Sequence, residues 1–188
     1  MLCYIEEYGE YVEITGYRNV KFDRAEEFLK TSRKQTQQSV CFQFFNAELI
    51  ATCEHLYFAV LNALRAFQDK TNISKSLAME TMLYASAQRQ IQKAIQRCGI
   101  KQEAASMAVV IIGERPREID NLLQAVTVHV GAELDEGVLE VTRLKEKKIK
   151  EVFRITDEEL RAVVKDDDWE GAMVNLIIER VALLATQL

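Results

Sequence analysis

Arg89, Lys93 and Arg97 recur every fourth residue in the stretch that runs from Ser86 to Arg97. A helix there sets three cations along one face, with Gln90 and Gln92 beside them. Like charges at this spacing repel by roughly 0.2–0.5 kcal/mol per pair, and a chain of net charge −5 does not need them for solubility. An anionic partner turns the repulsion into attraction, and a nucleic-acid backbone is the obvious one. The plainer reading is a solvated face with acidic neighbours brought in by the fold.

Other chemistry is sparse. The two histidines are His55 and His129. Cys53 lies two residues before His55, so on a helix their side chains diverge and make a poor nucleophile–base pair. Of the two histidines, His55 is the better functional candidate, because it falls early in a central helix. No glycine-rich phosphate loop is present, and two histidines with unpatterned cysteines make no zinc site. Asp166, Asp167 and Asp168 lack the alternating spacing of a calcium loop and suit a helix start instead. No catalytic set, cofactor, metal or small-molecule substrate is expected, although a carboxylate-based site assembled by the fold stays open as a reading.

The elements that must hold these residues come from a chain of 188 residues, 48% hydrophobic and 28% charged, with one proline and seven glycines. A chain this long hides roughly 70% of its unfolded surface and needs no staple to fold. Cys3, Cys41, Cys53 and Cys98 read as reduced thiols packed as small hydrophobes. The opening residues lack the basic region and apolar run of a signal peptide, and no apolar stretch reaches the ~18 residues of a membrane span. A cytoplasmic location is the expectation.

Residues 2–7 and 11–17 read as strands turning at Gly9, residues 22–34 as an amphipathic helix, 35–39 as a polar joint and 40–45 as a buried strand. A helix capped by Thr52 carries Leu56, Ala59, Val60, Ala63, Leu64 and Phe67 at helical period. The stretch 76–97 is helical too, but the stripe ending at Leu83 and the stripe starting at Ile91 are eight residues apart. That leaves them about 80° out of phase. A break near residues 86–88 resolves this, with Ser86 as a second N-cap and Gly99 ending the helix. The basic row then starts just past a break, where free amides also face an anion.

Residues 106–112 are a near-continuous β-branched run suited to the middle of a sheet. Pro116 opens a helix, residues 131–141 are irregular with a short strand at 138–141, and residues 142–153 form a lysine-rich helix. A capping box spans Thr156 to Glu159. The last helix presents adjacent apolar stripes, among them Leu176, Ile177, Leu184 and Leu188 beside Ile178, Val181 and Ala185, which suit either its own core or a partner. The expected fold is α+β (mixed α/β), a single domain over 1–188 with a small, largely antiparallel sheet against a multi-helix layer. Residues 1–46 supply a strand–strand–helix–strand opening, and 47–188 supply the helical layer with one central strand near 106–112.

Several segments resemble the kinase-binding subunit of the KEOPS/EKC complex, the PRPK-binding protein family, in an archaeal-like form. They are Phe45 to Leu56, Leu77 to Ile91 with Ala94 and Ile95, Val138 to Val141, and Ile178 to Leu184, with the block from Met79-Glu80 to Gln90-Ile91 the most specific. The resemblance covers roughly residues 40–188. It implies a non-catalytic protein that binds the small atypical kinase/ATPase of that complex. It also implies that the protein holds tRNA by its single-stranded CCA end, in support of threonylcarbamoyladenosine synthesis. Arg89, Gln90 and Ile91 match the family's Arg-Gln-Ile segment and are placed against the tRNA end: Arg89 on phosphate, Gln90 on a base edge, Ile91 on an unstacked base. Lys93 and Arg97 extend the track, and Thr52 and His55 match a segment expected nearby. Ile177, Ile178, Val181 and Leu184 are the expected kinase contacts. The competing reading is a DNA-binding regulator that uses residues 76–98 as helix-turn-helix, against which the net negative charge argues.

Overall fold

The computed structural model describes residues 1–35 and 40–186. Residues 36–39 of the expected polar joint lie outside the described residues, as does Leu188 at the end of the last apolar stripe. Five strands and eight α-helices are described: β1 (Leu2–Ile5), β2 (Glu10–Arg18), α1 (Phe22–Gln35), β3 (Val40–Asn46), α2 (Cys53–Gln68), α3 (Leu77–Ala85), α4 (Ile91–Cys98), β4 (Ser106–Gly113), α5 (Pro116–Val130), β5 (Glu133–Leu134), α6 (Arg143–Phe153), α7 (Asp157–Val163) and α8 (Trp169–Leu183).

The strands form one antiparallel sheet in the order β1–β2–β4–β3, with β5 also pairing with β2. β4 is central, as its β-branched run implies: Val110 lies opposite Ile14 of β2 and Gln43 of β3. Strand side chains alternate between faces, so β4 serves two cores at once. Ala108, Val110 and Ile112 join Val12, Ile14 and Phe45 against the large helical layer that includes α2, α3, α4 and α8. Met107, Val109 and Ile111 join Tyr17, Phe42 and Phe44 against α1 and α5, through Ala25, Phe28, Ile119 and Val126. Coverage on both faces explains why the run carries no polar alternation. The expected α+β fold is observed, with this second, thinner layer added.

Two local expectations change. Ser86 does not cap a second helix: it is the C-cap of α3, and its Oγ donates to the Leu83 carbonyl at 3.1 Å. The short strand lies at Glu133–Leu134, where Arg18 pairs with Glu133 at 2.8 Å, while Glu136–Leu139 is a 3-10 turn capped by Asp135. Three of the four lysines of α6 are engaged by neighbours. The Lys145 Nζ is buried and donates to the Val138 and Glu140 carbonyls at 2.8 and 3.1 Å, Lys148 pairs with Glu48 at 2.7 Å, and Lys150 pairs with Asp157.

The 3-10 turn presses on β2 where the chain has no side chain. A Cβ on Gly16 would lie 2.6 Å from the Asp135 carbonyl oxygen and 2.4 Å from Val138 Cγ2. Gly16→Ala is expected to cost about 1–3 kcal/mol in urea or thermal unfolding through overpacking. A cost below about 0.5 kcal/mol, the scatter of neutral surface changes, would show that the turn yields freely.

Candidate nucleic-acid interface

The site is built on the start of α2 and the end of α3. Thr52 caps α2, its Oγ1 accepting from the His55 backbone N–H at 3.4 Å. His55 itself is fully buried. Its Nδ1 accepts from the Ala51 N–H at 3.2 Å, and its Nε2 lies 2.8 Å from the Ala85 carbonyl oxygen. The carbonyl can only accept, so the ring is the Nε2–H tautomer. Burial lowers the imidazole from its ordinary 6.5 to about 4, so it is neutral at physiological pH. Expected as a contact for RNA, His55 is instead a fastener between two helices, out of reach of any ligand; Thr52, half-buried, serves the same junction.

α3 closes in a Schellman turn: the Gln88 N–H donates to the Leu83 carbonyl at 3.0 Å and the Ala87 N–H to the Tyr84 carbonyl at 2.9 Å. Ala87 therefore takes φ +48°, where glycine is usual. The chain then leaves the helix, and α4 starts only at Ile91. Arg89 thus precedes the helix and does not share a helical face with Lys93 and Arg97, which corrects the expected row. Gln90 is the N-cap of α4 without a side-chain capping bond, which leaves the first amides of α4 uncapped. Arg89, Gln90 and Lys93 are exposed, and neither cation has an ion-pair partner among the described residues.

Ala94 and Cys98 turn inward from α4, while Ile91 and Ile95, expected in the same core stripe, stay 41% and 45% exposed. At 100° per residue Lys93 and Arg97 fall on the opposite flank from the isoleucines. Arg97 is half-buried: its Nη1 donates to the Ser86 carbonyl at 3.0 Å, and its guanidinium carbon sits 5.7 Å from the centre of the Phe153 ring. Burial, with the Arg154 charge nearby, lowers its affinity for the proton. Arg97 is thus chiefly a structural cation, and the free positive charge at the α4 start belongs to Arg89 and Lys93.

Beside α4 lies an open groove of about 840 Å³, bounded by the α3–α4 turn and the ends of α6 and α8. Lys93, Arg97, Lys101, Arg154 and Arg180 face it together with one carboxylate, Glu151. Lys101 continues the four-residue spacing but lies past Gly99, where the expected helix ends, and Arg154 is far away in the chain, so neither was included in the basic row. Among the described residues no group of three or more His, Cys, Asp or Glu side chains is placed to hold a metal, and no helix is long and apolar enough to cross a membrane.

The expected kinase contacts do not form a surface. Ile177, Val181 and Leu184 are buried in the main core, and Ile178 alone of the four is partly exposed. The stripe they share is the side of α8 that packs inward, against α2 among others.

Fold and groove together describe an α+β protein whose open surface concavity is lined by cations. The family model described as Kinase binding protein CGI-121 matches residues 17–185. The chain is also 31% identical over 143 residues to Regulatory protein Cgi121 of the archaeon Methanocaldococcus jannaschii, an overlap covering 76% of this chain and 82% of that protein. The chain belongs to the CGI-121 family.

The neutral, buried His55 predicts a pH dependence. Its folded pKa lies below its unfolded one, so the unfolded chain binds a proton first as pH falls. The stability it contributes is present above about 6.5 and is lost progressively toward about 4, a difference of about 3 kcal/mol. His55→Gln, which does not titrate, should be less stable at neutral pH and flatter between these limits. Parallel melting curves for the two proteins across that range would rule the account out.

Proposed function

We propose that this protein is a non-catalytic subunit of the KEOPS tRNA-modification complex. It binds the small atypical kinase/ATPase and holds tRNA by its single-stranded CCA end in support of threonylcarbamoyladenosine synthesis. The observation that carries the RNA part is the start of α4: on one short segment, two exposed cations without acidic partners among the described residues, a Gln90 without a side-chain capping bond and two half-exposed isoleucines. Arg89 meets phosphate there, the Gln90 amide reads a base edge, and Ile91 packs on an unstacked base. The kinase part rests on family membership, since the family is described as kinase binding and the relative as a regulatory protein.

Arg89→Glu should weaken tRNA binding by at least about fivefold near 0.1 M salt, the counterion-release value for one lost contact on a single strand. The melting temperature and capture of the kinase should not change. Binding should also fall on removal of the CCA tail. Wild-type affinity in Arg89→Glu, measured by filter binding, would refute this placement.

The kinase contact is tested through α8. Ile178→Glu should reduce kinase capture with a melting temperature close to wild type, because its side chain is only partly buried. Ile177→Ala should instead destabilise by about 2–4 kcal/mol through a core cavity and leave capture by the folded fraction intact. Undiminished capture in Ile178→Glu moves the kinase to another face.

A further inference from the structure

The groove beside α4 holds more uncompensated charge than a single RNA terminus at Arg89 needs. Of its five cations, two are committed to the fold. Arg97 is tied to Ser86 and Phe153, and Arg180 donates to the Phe153, Leu176 and Arg154 carbonyls and to the Glu159 carboxylate. Lys93, Lys101 and Arg154 remain, none of them ion-paired among the described residues. The surrounding surface changes character abruptly. The adjoining cavity, which shares Lys101 and Glu151, is lined by Glu48, Glu103 and Lys148, so charges alternate there. The cationic stretch thus has a direction and an end.

Arg154 adds a second observation. It follows the last residue of α6 at φ +55°, in a second Schellman turn: the Ile155 N–H donates to the Lys150 carbonyl at 2.9 Å and the Arg154 N–H to the Glu151 carbonyl at 3.4 Å. Glycine is the cheaper residue at such a position. Two of the chain's positive-φ non-glycine residues, Ala87 and Arg154, border this one groove, and each ends a helix in a Schellman turn that fixes the groove's rim.

α4 connects the groove to the terminus site. Its isoleucine flank and its lysine flank are separated by a crest that carries Gln92 and Gln96. We propose that single-stranded RNA drapes over α4, and that the groove between α4 and the end of α6 binds its sugar–phosphate backbone next to the terminus, with Lys101 and Arg154 joining Lys93 as phosphate ligands. This extends the reading above and rests on it. The bases keep the isoleucine flank, where apolar surface is exposed, and the phosphates take the flank where cations lack partners. Glu151 opposes the bound backbone, so its neutralisation strengthens binding.

The test uses the whole chain alone, by fluorescence anisotropy, with two probes: a short single-stranded RNA ending in CCA and the CCA trinucleotide. The variant is Lys101→Gln with Arg154→Gly; the glycine suits the left-handed backbone, so folding is retained. The longer probe should bind about 25-fold more weakly near 0.1 M salt, with a salt slope shallower by about 1.4, the values for two lost phosphate contacts. The trinucleotide should be unaffected, and Glu151→Gln should tighten the longer probe only. Equal losses on both probes, or no loss on either, overturns the groove assignment. If Arg89→Glu weakens both probes while the double variant weakens neither, the groove alone is wrong. If Arg89→Glu is silent and the wild type ignores the CCA end, the terminus site fails first.

Discussion

A neutral, fully buried imidazole is the constraint from which the candidate site hangs. His55 has one ring nitrogen on the Ala51 amide and the other on the Ala85 carbonyl, so it joins the entrance of α2 to the exit of α3. The edge of Phe153 meets the same ring at 5.6 Å, Arg97 lies over Phe153, and Arg97 also holds the Ser86 carbonyl. The contacts close on themselves, from imidazole to carbonyls to guanidinium to phenyl ring and back. Each is modest, about 1 kcal/mol for a neutral hydrogen bond and 0.5–2 for a ring contact. They share groups, however, and a carbonyl or amide left unpaired in that interior costs about 1–3 kcal/mol on its own. The direction in which the chain leaves α3, and hence the position of Arg89, follows from that closed set.

The electrostatics of the groove follow from subtraction. An acidic chain has carboxylates to spare, and the fold assigns them elsewhere. Glu133 and Asp135 take Arg18, Glu48 takes Lys148, Asp157 takes Lys150 and Glu159 takes Arg180. Exposed pairs of this kind add little stability, but each removes a cation from the unpaired total. Near α4 the segment that carries Arg89, Lys93 and Lys101 meets Arg154 from the end of α6, and none of the four has an ion-pair partner among the described residues. Net charge was therefore a poor guide to the local field, and three of the four lysines of α6 are engaged by carbonyls or carboxylates.

The same contrast marks what the sequence could tell. Hydrophobic period and capping chemistry located β4, α2 with Thr52, the proline-opened α5 and the Thr156 capping box, because those signals act over a few residues. The phase slip between Leu83 and Ile91 correctly required a break. Its chemistry was misread at Ser86, because a serine at the junction of two helices can belong to either, and the Schellman turn there uses alanine in place of the expected glycine. Family resemblance brought out Arg89 to Ile91, whereas Lys101 lay past the expected helix end at Gly99 and Arg154 had no motif to mark it. His55 looked reactive because an early position in a helix resembles a site, and only tertiary burial shows that both its nitrogens are spent.

Burial also decides how α8 is to be understood. Its surplus of apolar residues suggested a partner, yet Ile177, Val181 and Leu184 are consumed by the helical layer, where α8 packs on α2 and α7. A helix with apolar residues on most of its circumference is what a layer interior requires. Partner surface must then come from residues left at the margin, such as Ile178, half-exposed between the core and solvent. α8 also carries Arg180, which fixes the carbonyls of Phe153 and Arg154. In the proposed function, a partner on the outer side of α8 would act through the Arg180 guanidinium on the backbone that presents Arg154 to the groove.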